Sequence, residues 1–483
     1  MPFFDLPPWL VTFGVPALQV LGVLSALDAV MRARTPQGST AWAVALIAMP
    51  LLALPAYWIF GRARFEDYVE ALRGFNTVVS ERLKAVRSGP LAEFLVDPDG
   101  DPEEERGELH AFDELATLPL TCGNDGRLLV DGHATFDAIF AAFDRAEHYI
   151  LAQFYIIHDD EIGGRFKEKL IAAARRGVRV YLIYDEVGSH KLPKAYKREL
   201  EAAGVEVSSF SGHRSRFKRF RLNFRNHRKI VVVDGTWAAM GGLNVGDEYL
   251  GRDEKLSPWR DTHVAIEGPV VQGVQLSFVR DWYYGCEEIP EVRWQPTRAD
   301  ADREALVLAS GPADDLETCG LLFTHAIESA EERVWIATPY FVPDGRVLGA
   351  LQLAALRGVD VRILMPRQSD SVFFKYVPYA YLPDVERAGV KVYLHEPGFM
   401  HQKVLLVDED YAAVSTANFD NRSFRLNFEI TVLFADAGFA RDVAAMLEDD
   451  FARSTQITRA DMEDKSYAFQ VATQVTRLFA PVL

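Results

Sequence analysis

Two histidines in this 483-residue chain head the same string. His227 begins His-Arg-Lys-Ile-Val-Val-Val-Asp, which ends at Asp234, and His401 begins His-Gln-Lys-Val-Leu-Leu-Val-Asp, which ends at Asp408. Both read H-x-K-x4-D, with the lysines at Lys229 and Lys403. An asparagine follows ten residues after each aspartate, at Asn244 and Asn418. The apolar interior of each string has the character of a buried strand, and residues i and i+2 of a strand share a face. Each histidine and its lysine are therefore expected to point into one pocket. One copy supplies an imidazole, an ammonium and an amide. Two copies face to face supply imidazoles on opposite sides of a bound group, the layout for in-line displacement at phosphorus. One imidazole attacks, the other protonates the departing oxygen, and the cations and amides hold the non-bridging oxygens. Neutral imidazole is a competent nucleophile, so neither a metal nor another cofactor is expected. A lysine between each His and Asp, with no H-x3-H or Cys/His cluster, also argues against metal ligation. Asp234 and Asp408 are counted with each catalytic motif, in a positioning role.

The strings sit inside a longer repeat. Arg175-Arg176-Gly177-Val178 recurs as Leu356-Arg357-Gly358-Val359, 181 residues on, and the two histidines are 174 apart. A period this long implies duplicated domains rather than a solenoid. Around each copy the chain alternates helix and strand patterns. Helices are expected over 136–146, 165–176, 321–330 and 347–356, and strands over 149–157, 178–184, 334–338 and 359–365. The fold class is therefore α/β, two tandem domains of β-sheet flanked by helices. The expected division is 117–295 for the first domain and 296–483 for the second, with a pseudo-twofold axis and one shared active site.

Two apolar stretches precede them. Residues 9–31 and 40–60 each have about the 20 residues a membrane-crossing helix needs, with Trp9, Trp42, Tyr57 and Trp58 near their ends. A transmembrane hairpin is expected over 1–64. Gln19 and Asp28 are polar blemishes in the first span, and Pro50 and Pro55 are expected to kink the second. The Arg and Lys of 62–88 point to a cytoplasmic catalytic part of a multi-pass membrane protein. Residues 65–116 read as a polar surface helix followed by an acidic linker, 97–108. A net charge of −17 makes a nucleic-acid partner unexpected. Cys122, Cys286 and Cys319 have neither metal nor C-x-x-C spacing and read as free thiols.

At these residues the chain resembles the phospholipase D superfamily and, within it, the bacterial cardiolipin synthases. The resemblance is carried by the paired motifs, the N-terminal hairpin, Gly241-Gly242-Leu243-Asn244, Trp259-Arg260-Asp261-Thr262-His263, Pro339-Tyr340-Phe341-Val342-Pro343-Asp344 and Asn421 to Glu429. It implies a phosphatidyltransferase of the bacterial inner membrane. Two phosphatidylglycerol molecules would give cardiolipin and glycerol through a phosphatidyl-histidine. It implies that His227 attacks and His401 is the general acid and base. Lys229, Lys403, Asn244 and Asn418 would bind phosphoryl oxygens. Glu248 and Glu429, the acids after each asparagine, are expected to orient the histidines. One departure is Ser415, where the family often has glycine.

Two further stretches suit lipid. Residues 211–229 hold eight Lys and Arg, which suits phosphatidylglycerol, other anionic phospholipids or a membrane surface. The aromatic run Val372–Leu382, with Asp370 and Ser371 before it, reads equally as interface or as core. The same site would also serve a phospholipase D-type hydrolase. A catalytically silent lipid-binding protein is the remaining alternative, and the intact chemistry of both motifs opposes it.

Overall fold

The computed structural model describes residues 10–32, 35–61, 65–96, 107–210, 223–370 and 374–478. Several expectations fall outside the described residues: Trp9, Arg34, Arg62, Arg64, the acidic run from 97 to 106, the basic residues between 211 and 222, and Ser371 with its two successors. The chain forms two compact units. One is Met1–Asp67 with Arg214–Phe224, and the other is Tyr68–His213 with Arg225–Leu483.

In the first unit, Thr12–Arg32 is a single helical stretch of 21 residues with mean hydropathy 1.7, long and apolar enough to cross a bilayer. Its polar blemishes have partners. Gln19 donates to the Ile47 carbonyl at 2.9 Å, and Asp28 accepts from Tyr57 at 2.7 Å and pairs with Arg32. The expected second span is corrected here: it is two helices, Pro36–Ala48 and Pro50–Phe60. Pro50 has no N–H to continue the helix, and Met49 before it leaves helical geometry at φ −137°, ψ 58°. The chain then doubles back, so that the Tyr57 ring lies 5.4 Å from Trp42 and its hydroxyl reaches Asp28. The two legs of 13 and 11 residues span about 20 and 17 Å at the helical rise. Each falls short of the ~30 Å hydrocarbon core.

The second unit holds the repeat. Its first half contributes β1 (Thr121–Val130), β2 (Tyr149–Phe154), β3 (Arg179–Tyr184), β4 (Glu206–Ser209), β5 (Arg225–Asn226), β6 (Ile230–Val233), β7 (Trp237–Gly241), β8 (Trp259–Arg260) and β9 (Thr262–Glu267). Its second half contributes β10 (Arg303–Ser310), β11 (Arg333–Ala337), β12 (Phe341–Val342), β13 (Asp360–Pro366), β14 (Lys391–His395), β15 (Phe399–Met400), β16 (Val404–Val407), β17 (Tyr411–Ser415), β18 (Phe419–Asp420), β19 (Asn427–Phe434) and β20 (Ser454–Ile457). One sheet of 16 strands runs β4-β3-β2-β6-β7-β9-β1-β10-β19-β17-β16-β11-β13-β14-β20, with β5 beside β19. Read outward from the β1–β10 junction, the halves have the same order. In each, two parallel pairs lie towards the edge (β2–β3–β4 and β11–β13–β14, the latter extended by antiparallel β20), and the strand after the histidine pairs antiparallel to the first of them. The motif interiors, Ile230–Val233 and Val404–Val407, are fully buried, which explains their unbroken apolar run.

The expected helices form at Asp131–Arg145, Glu161–Arg175, Thr318–Ser329 and Gly345–Leu356. Gly177 and Gly358 follow two of them at φ +90° and +98°, the left-handed helix stop that glycine allows. Helix Glu66–Ser88 is less of a surface element than expected, because Phe75 and Val79 are buried with Leu276 and Val279. The aromatic run is mostly core, with Val377, Tyr379, Tyr381 and Leu382 buried. The three cysteines are free thiols.

Candidate active site

The two halves meet through short lead-in strands that cross between them. β5 pairs parallel with β19, and the His227 N–H donates to the Phe428 carbonyl at 2.9 Å. β15 pairs parallel with β8, and the His401 N–H donates to the Arg260 carbonyl at 2.7 Å. Each histidine is thus held by backbone of the opposite half. The H-x-K residues form the three-residue links between these lead-ins and β6 and β16, rather than lying on the strands expected for them. Buried ion pairs fix the lead-ins. Arg228 binds both Asp281 oxygens at 2.8 Å and reaches the Glu429 and Ser310 carbonyls, while Arg260 binds both Asp450 oxygens at 2.9 and 2.7 Å.

The carboxylates that orient the imidazoles are also exchanged. His227 Nδ1 lies 3.0 Å from both oxygens of Glu429 in the second half. His401 Nδ1 lies 2.9 Å from Asp261 Oδ2 in the first half. A carboxylate accepts only, so each Nδ1 carries the proton and each Nε2 keeps its lone pair. Glu429 also accepts from Thr416 at 2.6 Å and Asn427 at 3.1 Å. Gly242 occupies the position of Thr416 in the first copy, and a Cβ there would lie 2.0 Å from Asp261 Oδ1, so the glycine makes room for the acid. Each ring has an aromatic neighbour, Tyr155 at 5.2 Å from His227 and Trp259 at 5.3 Å from His401.

The lysines are buried beside the rings. Lys229 donates to the His227 carbonyl at 2.5 Å and Lys403 to the His401 carbonyl at 2.6 Å. An ammonium has three donors, so each lysine keeps others for a ligand. Lys403 Nζ also lies 3.2 Å from both nitrogens of His401. Burial lowers Lys229 well below the usual lysine range and brings Lys403 down to about 8. Burial likewise brings His227 down to about 4, with Lys229 and Lys403 acting in the same direction against Glu429. His401 falls to about 4 through burial and Lys403, against Asp261 and helped by Lys229. Each lysine therefore acts on the histidine of the other motif, and the two copies make one electropositive site around two neutral imidazoles.

Those depressed values carry a stability consequence. Between pH 6.5 and about 4 the unfolded chain binds protons at these histidines and the folded chain does not. Stability is present above 6.5 and is lost as pH falls, with a slope of up to about 1.4 kcal/mol per pH unit for each histidine. Denaturant unfolding of the detergent-solubilised protein at pH 7, 6 and 5 measures it. The double variant His227→Gln/His401→Gln is expected to flatten the slope, and an equal slope in both proteins rules these histidines out as its source.

The asparagines differ. Asn244 Oδ1 accepts from the Ile156 N–H at 3.1 Å and its Nδ2 donates to Tyr249 at 2.8 Å, so it braces the loop after β2. Asn418 Oδ1 is buried and takes no hydrogen bond. Ser415 sits where Gly241 sits in the first copy, but without a positive φ, and its Oγ accepts from the Ala417 N–H at 2.9 Å. The serine therefore fits this position without backbone conflict.

Asp234 and Asp408 position backbone and do not reach the pocket. They lie seven residues beyond their histidines, across a strand and roughly 20 Å of extended chain. Asp234 accepts from the N–H groups of Glu147, His148 and Tyr149, and Asp408 from those of Glu331, Glu332 and Arg333, all at 2.7–2.9 Å. They fix the start of β2 and β11 against the hairpins that carry the motifs. Asp408→Ala is expected to cost about 2–3 kcal/mol of stability by orphaning those donors, with turnover per folded molecule kept. Unfolding midpoints and active-site-normalised rates separate the two effects. One expectation is corrected: Glu248 orients neither catalytic ring. It pairs with His158 at 3.3 Å, beside Asp160, and one ligand atom from each of the three lies within 4.8 Å of the others.

Asp261 takes the role expected of Glu248. A signal for it exists in the sequence. Arg260-Asp261-Thr262-His263-Val264 lies over Phe428-Glu429-Ile430-Thr431-Val432. His263 pairs with Gly241 as Thr431 pairs with Ser415, so the two acids occupy one position of the ladder. The 247–258 loop puts Asp261 seventeen residues after Asn244, against eleven from Asn418 to Glu429, which hides the match from a search at fixed spacing.

Comparison with known proteins gives the same outline. A family model described as "Cardiolipin synthase, PLD-like domain" matches residues 139–282 and 323–454, and one described as phospholipase D-nuclease N-terminal matches 20–62. The chain is 44% identical over 476 residues to cardiolipin synthase A of Pseudomonas putida strain KT2440, covering 99% of this chain and 98% of that protein. It is 44% identical over 483 residues to cardiolipin synthase A of Pseudomonas fluorescens strain SBW25, covering all of both. The crystal structure of a phosphatidylserine synthase from Haemophilus influenzae superposes with a TM-score of 0.59 at 14% identity, over 78% of this chain and 100% of that one, and shows the shared fold.

Proposed function

We propose, from the premise that this chain belongs to the PLD-like cardiolipin synthase family, that it joins two phosphatidylglycerol molecules into cardiolipin and glycerol. It is a phosphatidyltransferase and a membrane protein. The observation that carries the mechanism is the exchanged pair of imidazole–carboxylate contacts, His227 with Glu429 and His401 with Asp261.

The donor phosphodiester occupies the space between the two Nε2 atoms. Lys229, Lys403 and the Asn418 amide hold its non-bridging oxygens, and Asn244 shapes the loop beside them. His227 Nε2 bonds to phosphorus as the glycerol oxygen leaves. His401 gives that oxygen a proton. In the resting site His401 is neutral, and the donor's negative charge, buried against it, raises its proton affinity on binding. The acceptor lipid then gives its hydroxyl proton back to His401, its oxygen bonds to phosphorus, and the P–N bond to His227 breaks. Neutral imidazole attacks without activation by a metal or other cofactor, so this route invokes neither.

The repeat boundaries at 117–295 and 296–483 follow from the same reading, as does placement in the inner membrane. The Arg and Lys of 62–88 support a catalytic unit on the cytoplasmic side. Other anionic phospholipids are expected to compete for the site, and nucleic acid is not. Reconstitution of the full chain in phosphatidylglycerol vesicles tests the function, scoring cardiolipin and glycerol. Accumulation of phosphatidic acid in place of cardiolipin makes the protein a hydrolase and sinks the transferase reading.

A further inference from the structure

A transferase of this kind must hold two anionic lipids at once. The donor's phosphate takes the two lysines of the motifs. The acceptor brings a second phosphodiester, separated from its reacting hydroxyl by five single bonds, roughly 6 Å of chain. That second charge needs cations of its own near His401, since an unpaired buried anion is costly.

A cavity of about 370 Å³ has Phe399, two residues before His401, in its wall. The Phe399 ring is centred 5.7 Å from that of His401. The rest of the wall is aromatic and basic. Tyr340 stacks on Phe374 at 3.9 Å, and Tyr379 meets Phe469 at 5.4 Å. Arg367, Lys375 and Lys465 line the same cavity. The Arg367 Nε side faces Glu396 at 2.7 Å, which leaves further donors of the guanidinium. Lys375 is exposed, and the Lys465 ammonium stands 5.7 Å over the Tyr379 ring. The acids near this wall are Glu396, held by Arg367, Asp370, which accepts from the Tyr340 hydroxyl, and Asp461, which interacts with Lys465 and Tyr379. Three cations on an aromatic wall suit a phosphodiester with a glycerol backbone, the cations taking the charge and the rings the carbon skeleton.

We propose that this cavity is the headgroup subsite of the acceptor phospholipid, with its phosphate on Arg367, Lys375 and Lys465 and its free hydroxyl at His401. The subsite rests on the transferase reading above. In the transfer, the hydroxyl proton passes to His401 Nε2, the hydroxyl oxygen bonds to phosphorus, and the P–N bond returns its electron pair to His227. A small alcohol can take the acceptor's place at His401 but has no phosphate for the cations.

Competition between acceptors tests this. The full-length protein in phosphatidylglycerol vesicles is given a fixed ethanol concentration, and the ratio of cardiolipin to phosphatidylethanol is measured. The variant Arg367→Gln/Lys375→Gln/Lys465→Gln is expected to lower that ratio about tenfold or more, while Arg367→Lys/Lys375→Arg/Lys465→Arg stays within about threefold of wild type. The ratio is internal to each sample, so a partly misfolded variant changes total product and not the ratio. If wild type makes both products and the glutamine variant keeps its ratio, the subsite is wrong and the transferase stands. If wild type makes phosphatidylethanol but no cardiolipin, the function and the subsite fall together.

Discussion

His227→Ala is expected to remove the covalent phosphatidyl-enzyme and to lower turnover by roughly 10⁴-fold or more, because the bond-forming atom is lost while the rest of the site stays. The ring's state sets the size of the loss. Its Nδ1 faces Glu429, its Nε2 keeps the lone pair, and it stays unprotonated down to about pH 4. His401→Ala behaves differently. It removes the proton for departing glycerol, so attack slows. With a donor whose leaving group needs no proton, such as a p-nitrophenyl ester of phosphatidic acid, the adduct should form and then persist, because nothing deprotonates the acceptor. Acid-quenched enzyme from labelled donor, digested and mapped, reads both variants. An adduct on His401 in the His227→Ala protein reverses the roles. Both variants keep the Arg228–Asp281 and Arg260–Asp450 pairs, so their folding can be checked by unfolding midpoint.

Much of this site is legible in the sequence, for a physical reason. A buried strand must be apolar at every position, so H-x-K and D stood out as the polar ends of Ile230–Val233 and Val404–Val407. Their recurrence with the helix–Gly–strand unit gave two halves of one fold. The roles of the two aspartates were only half legible. Spacing shows that they belong to the motif, but only the three N–H groups around each show that they bind backbone. Asp261 was hidden because strand pairing, not distance along the chain, makes it equivalent to Glu429. The crossing of β5 and β15 between halves was invisible, since two-residue strands carry no periodicity. The second apolar stretch misled for a related reason. Hydropathy counts residues, and the turn at Met49–Pro50 interrupts the helix without interrupting the hydropathy. Pro50 reads as a kink, but the hydrogen bond from Tyr57 to Asp28, which holds the chain doubled back, depends on packing that sequence does not display.

The exchange of acids between halves makes a prediction that a single-domain site would not. Glu429→Gln is expected to slow formation of the phosphatidyl-enzyme by roughly 10²–10⁴-fold, the range seen when a buried carboxylate behind a catalytic histidine becomes an amide. The count of donors explains why. Glu429 accepts from His227, Thr416 and Asn427. A glutamine has one oxygen to offer, and its NH2 must face one of those donors. Where it faces the ring, Nδ1 must become the acceptor, the proton moves to Nε2, and the attacking lone pair is lost. Where it does not, the negative charge that stabilises the cationic ring of the adduct is still gone. Asp261→Asn does the same to His401, so it should slow glycerol release and acceptor activation but spare attack on a p-nitrophenyl donor. Although Glu429 lies in the second half, its replacement should injure the step of the first-half histidine, and Asp261 the reverse. Pre-steady-state bursts with the two donors separate these outcomes. If Glu429→Gln spares the burst and Asp261→Asn abolishes it, each acid serves the other step, and the exchanged contacts are not those used in catalysis.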